Sequence, residues 1–131
     1  MGDIPHGWAC AEFILLLRDI LFFEADEDSD PHIYLAPGLV PRWLNDGESI
    51  GVTDAPTLFG VPFGYELTLR QANQTIEINI TQPPPANVRF VYPCRFGSGV
   101  LSATADGNPV ALSGTAVHLP AGTRQAIIQY S

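Results

Sequence analysis

The sequence predicts a mainly β chain: an antiparallel, jelly-roll-like β-sandwich of about eight or nine short strands, preceded by one α-helix. Three observations predict it. From His32 onward, apolar residues recur in short runs with a period of two. Glycine and proline, twelve of each in 131 residues, separate those runs. Only Trp8–Phe23 carries a long helical pattern, and it is apolar on most of its circumference.

The helix is expected to begin near Gly7 or Trp8, after Pro5-His6, and to end by about Glu24. Its only charges are Glu12, Arg18 and Asp19. A helix this apolar needs more cover than one sheet face provides. The division is therefore residues 1–24 as helix and 25–131 as sandwich. The run Ala25-Asp26-Glu27-Asp28-Ser29-Asp30-Pro31 opposes a helix dipole at its C-terminal end, so it is expected as a solvated loop. Asp26, Asp28 and Asp30 alternate as in a calcium loop. Pro31 and Pro37 stand where that loop needs its glycine and its final glutamate, so no metal site is expected.

The strands follow in order. His32–Ala36 reads as the first, and Pro37-Gly38 ends it. Val40–Leu44 fits one helical turn with Pro41 early in it, and Asn45-Asp46-Gly47 is a turn. Ser49–Val52 and Thr57–Phe59 are short strand candidates. Phe63–Thr81 is the clearest segment. Folding the chain at Ala72-Asn73 sets Leu69 opposite Ile76, Leu67 opposite Ile78 and Tyr65 opposite Ile80, which puts every apolar residue on one face. Pro83-Pro84-Pro85 makes a stiff crossover. Val88, Phe90 and Tyr92 alternate in the next strand. Val100–Ala105 and Val110–Leu112 flank the turn Asp106-Gly107-Asn108-Pro109. Thr115–Leu119 and Gln125–Tyr130 complete the set.

Composition excludes some classes. Fourteen acidic against six basic residues give a net charge of −8, which argues against nucleic acid and anionic membranes as partners. Two cysteines, Cys10 and Cys94, are too few for a disulfide framework and read as buried free thiols of a reducing compartment, so a cytoplasmic location is expected. The start is not basic, and Arg18-Asp19 interrupts the apolar run, so no targeting or membrane-spanning segment is expected.

No self-contained catalytic motif emerges. His6, His32 and His118 are far apart in sequence, with no helical partner for a zinc site or a Cys-His pair. Gly97 and Gly99 lie between strands, not before a helix, so they make no phosphate loop. Glu66 and Glu77 fall on the outer face of the hairpin, where solvation is the simpler account. Asn73-Gln74-Thr75 and Asn79-Ile80-Thr81 match the glycosylation sequon, and with no secretory signal expected, chance is the better account. Trp43, Phe59, Phe63 and Tyr65 are candidates for stacking on sugar rings, with core packing as the simpler account for each.

The order of parts adds to this. Pro5-His6-Gly7-Trp8-Ala9 opens an apolar helix that reaches Leu16-Leu17-Arg18-Asp19-Ile20-Leu21. Ile33-Tyr34-Leu35-Ala36-Pro37-Gly38, Pro41-Arg42-Trp43-Leu44, Gly47-Glu48, Asp54-Ala55-Pro56-Thr57 and Phe59-Gly60 follow, then the strands. This resembles the C-terminal end of six-hairpin, (α/α)6-barrel glycoside hydrolases, the α-L-rhamnosidase-like and related bacterial families. The resemblance implies a last barrel helix running into a non-catalytic accessory β-sandwich, with the catalytic carboxylates on an upstream barrel. It implies substrate contact by His6 and Trp8 in an intact enzyme, and no cofactor. Two other readings stay open: a carbohydrate-binding module using Trp43 or Tyr65, and a free-standing domain that self-associates through its helix.

Overall fold

The computed structural model describes residues 16–27 and 29–131. Residues 16–21 are helical. At Phe22 the chain turns into strand, so the helix ends at Leu21, three residues short of the expected end near Glu24. Strand β1, Phe22–Glu27, pairs antiparallel with β2, Asp30–Leu35, and Phe22 lies opposite Leu35. The acidic run is therefore not a loop. It folds as a hairpin that reverses between Glu27 and Asp30, with Ser29 in the left-handed region at φ 61°. Aromatic residues favour strands when a partner strand supplies the ladder, and that tertiary pairing outweighs the helical pattern at Phe22 and Phe23.

The first sheet continues with β6, Arg89–Pro93, then β10, Ala116–Leu119, then β9, Leu112–Ser113. The second sheet has the order β3, Ser49–Ala55; β4, Phe63–Arg70; β5, Thr75–Gln82; β11, Gln125–Tyr130; β7, Val100–Ala105; and β8, Asn108–Pro109. Among the described residues every pairing is antiparallel except β2 with β6, which lie side by side after the chain has passed through β3, β4 and β5 of the other sheet.

The β4–β5 hairpin has the register the alternation predicts: Leu69 faces Ile76, Leu67 faces Ile78 and Tyr65 faces Ile80. Its turn is a 3-10 segment, Gln71–Asn73, closed by Gln74 in the left-handed region. Pro41–Trp43 is likewise a 3-10 turn with proline at its start. Thr57–Phe59 is no strand. The Thr57 hydroxyl donates to the Val61 carbonyl at 2.7 Å, which curls this segment into a compact loop. Val110–Leu112 is split. Asn108–Pro109 stays with β7, whereas Leu112–Ser113 crosses to the first sheet and pairs with β10.

The inner faces of both sheets merge in one apolar core. Phe63 stands at its centre, 5.6 Å from the Phe22 ring and 6.1 Å from the Phe90 ring. Phe22, Ile33, Leu35, Phe90, Tyr92, Val117 and Leu119 come from the first sheet, and the β4, β5 and β11 apolar residues from the second. No helix among the described residues is long and apolar enough to cross a membrane.

Candidate functional site

The sequence-derived candidates scatter. His6, Trp8 and Cys10 lie outside the described residues. Tyr65 is 2% exposed, and its ring stacks on Phe63 at 5.6 Å while its hydroxyl donates to the Leu21 carbonyl. Burial pushes that phenol well above its ordinary range. Neither Tyr65 nor fully buried Phe63 offers a ring to a sugar, because both point into the core between the sheets. Phe59 is half-buried against that core. Trp43 is exposed but has no second exposed aromatic paired with it among the described residues. Cys94 is a free, half-buried thiol whose pKa burial pushes up, so it stays protonated and unreactive at neutral pH.

Two regions have built geometry. The first is the junction between helix and sandwich. The Ala36 amide donates to the Leu21 carbonyl at 2.8 Å, and the Gly38 amide donates to the Ile20 carbonyl at 3.1 Å. These bonds satisfy carbonyls that a helix end leaves unpaired. Gly38 is required for the approach: a Cβ there would sit 2.9 Å from the Ile20 Cα. Arg18 reaches past the helix end to the Glu24 carboxylate, lies 4.4 Å above the Phe22 ring centroid, and donates to the Pro56 carbonyl at 3.2 Å. The Glu24 side chain is only 3% exposed and accepts a second bond from the Leu58 amide at 2.5 Å. Leu16 and Leu17, on the same helical turns, remain 57% and 44% exposed.

The second region is the outer face of the first sheet. The ladder aligns Phe23 with Tyr34, Tyr34 with Val91, and Val91 with His118, so these four form one row across β1, β2, β6 and β10. The next row aligns Ala25, His32 and Arg89. The Tyr34 ring lies 6.4 Å from Phe23 and 5.2 Å edge-on from His32. Arg89 grips Asp30 with two parallel bonds, Nε to Oδ1 at 2.8 Å and Nη2 to Oδ2 at 2.7 Å. Its hydrogen bond to Arg89 is the main force holding the Asp30 carboxyl below the usual range. Arg89 Nη1 lies 3.2 Å from His118 Nδ1. A guanidinium only donates, so this Nδ1 accepts and the His118 proton sits on Nε2. His32 differs: its Nδ1 donates to the Asp30 carbonyl at 2.8 Å.

Three other carboxylates accept backbone amides. Asp46 accepts the Gln71 amide at 2.8 Å, Glu48 the Asn45 amide at 2.7 Å, and Asp106 the Gln125 amide at 2.9 Å. Glu77 pairs with Arg70 on the solvent side. A shallow hollow of about 490 Å³ at one end of the sandwich is lined by Arg42, Asn45, Gln71 and Tyr130, over Leu69 and Phe96.

Fold and surfaces together define a β-sandwich that carries a clamped helix and one aromatic, imidazole-bearing sheet face. No protein-family model, curated protein or solved structure matches the chain.

Sequence reasoning missed the Phe23–Tyr34 row. The available signal was β2 itself, where Ile33 and Leu35 alternate with His32 and Tyr34. Both faces of that strand are non-polar or aromatic, which is more than a half-solvated strand needs.

Proposed function

We propose that the chain is the non-catalytic accessory β-sandwich of a glycoside hydrolase, joined through its helix to an upstream (α/α)6 barrel. One observation carries the reading. The helix end is clamped to the sandwich by Arg18, Glu24, Gly38 and Tyr65, yet Leu16 and Leu17 stay bare. A rigid junction with an uncovered apolar turn suits a helix whose other neighbours belong to a second body. The sandwich then braces the last barrel helix, and in the intact enzyme His6 and Trp8 are the residues that the resemblance makes candidates for substrate contact. A content of two cysteines in 131 residues suits a reducing, cytoplasmic setting. The role needs no cofactor.

Reading the gene upstream of Gly2 tests this. The expected result is a continuous frame encoding a series of helical hairpins with the catalytic carboxylates. A stop codon immediately upstream overturns it. The isolated chain is expected to hydrolyse no aryl-glycoside; turnover abolished by one Asp or Glu substitution would also sink the reading.

A further inference from the structure

We propose that the outer face of the first sheet is a binding platform for a neutral pyranoside chain, stacked on Phe23 and Tyr34 and hydrogen-bonded by Arg89, Asp30 and His118. The proposal rests on the geometry of this face and is independent of what the helix docks against.

The two outer faces of the sandwich differ in kind. The second sheet presents Glu77, Asn79, Gln125 and Thr104 to its outer side, with Ile127 as a single exposed apolar residue in the same row and no aromatic ring among them. The first sheet presents Phe23, Tyr34, Val91, His32, Arg89 and His118 instead. Phe23 is 48% exposed, so its ring is available to a ligand. Val91, between Tyr34 and His118 in the row, is only 4% exposed, so the larger side chains around it already close over the sheet.

The chemistry on this face matches an amphipathic ring. A pyranoside with equatorial hydroxyls exposes a patch of C–H bonds that stacks on the negative face of an aromatic ring. Its hydroxyls both donate and accept, and they need partners of both kinds around that patch. Nε2 of His118 is a donor, because Nδ1 is the atom that accepts from Arg89. Each Asp30 oxygen keeps a second lone pair after binding Arg89. The paired guanidinium and carboxylate hold each other in place, so these groups lose little freedom when a ligand arrives.

Other occupants fit less well. Arg89 is already neutralised by Asp30, and the chain carries −8 overall, so a phosphate backbone or an acidic sugar meets no free cation here. The exposed apolar part is one phenyl ring beside a half-buried phenol. That is far short of the roughly 800 Å² per partner that a stable protein interface buries.

The test is a ¹⁵N chemical-shift titration of the full chain with cellohexaose and with xylohexaose. The variants are Tyr34→Ala, Phe23→Ser, Arg89→Met and, as a control away from the face, Trp43→Ala. The expected result is saturable shifts confined to Phe23, Tyr34, Arg89 and His118 with at least one sugar. Affinity should fall about tenfold in Tyr34→Ala and in Phe23→Ser, the size of one lost aromatic contact, and stay unchanged in Trp43→Ala. Phe23→Ser alters a half-exposed side chain on an edge strand, so it keeps a folded reference if Tyr34→Ala does not fold. The proposal is overturned by no saturable shift with either sugar, or by shifts that survive Phe23→Ser undiminished. It is equally overturned by sugar-independent, concentration-dependent shifts on this face, which would assign it to a second copy of the chain. None of these failures touches the helix-docking reading.

Discussion

Glu24 brings a carboxylate to the inner side of an edge strand, and the chain supplies two groups to meet it: the Arg18 guanidinium and the Leu58 amide. Removing one partner of a buried pair leaves the other charge desolvated and uncompensated. Arg18 is 31% exposed, so water softens that penalty. Arg18→Ala should therefore cost about 2–3 kcal/mol by urea denaturation. The double variant Arg18→Ala/Glu24→Leu should recover most of it, because no charge is then left buried. On the opposite face, the Asp30 carboxyl is depressed by Arg89, with smaller help from His32 and His118. A depressed carboxylate stabilises the fold above its unfolded pKa, and that contribution disappears as pH falls through the folded pKa. The wild-type advantage over Arg89→Met in urea midpoint should thus shrink as pH falls from roughly 5 to roughly 2, as Asp30 takes up its proton. A gap that stays constant over that range would show that the pair contributes nothing through charge.

The elements differ in how local their causes are. The β4–β5 hairpin is written in its own residues: one register alone puts Leu69, Leu67 and Tyr65 on the face of Ile76, Ile78 and Ile80. The turn between β7 and β8 is similarly local, with Asp106 and Gly107 both in the left-handed region at φ 50° and 84°. The helix–sandwich junction is not local. It depends on the loop after β2 coming close enough for two backbone bonds, which a side chain at position 38 prevents. Gly38→Ala should cost about 1–3 kcal/mol through overpacking against the Ile20 backbone. Hydrogen exchange separates this from general destabilisation: the Ala36 and Gly38 amides should lose protection first, while the β4–β5 ladder keeps its own.

At the scale of the molecule, the sandwich closes its core without help from Leu16 and Leu17, which stay exposed beside the clamp. Leu17→Asp should therefore change stability by less than about 0.5 kcal/mol. Its effect should appear in assembly. If the chain is joined to a barrel as proposed, the variant should weaken docking and lower the thermal midpoint of that enzyme. In the chain alone, sedimentation should show whether the bare turn pairs with a second copy, and Leu17→Asp should abolish any such dimer. A wild-type dimer that survives Leu17→Asp would place self-association elsewhere.

The sequence alone determined the alternating strands, their punctuation and the register of the central hairpin, because each follows from side-chain period and turn chemistry within a short window. Only the tertiary structure decided the rest. Phe22 and Phe23 carry a helical pattern yet pair with Tyr34 and Leu35, because a partner strand supplies the ladder there. The acidic run became a hairpin for the same reason. The apolar face that Tyr65 shares with Leu67 and Leu69 becomes core only because the other sheet covers it, which is what removes Tyr65 as a ring open to a sugar. The Phe23–Tyr34–Val91–His118 row joins residues as much as 95 positions apart, from Phe23 to His118, through three pairings, one of them parallel. Alternation says which side of a strand a residue faces and nothing about which strand lies next to it. A surface assembled across four strands was therefore invisible until the strand order was known.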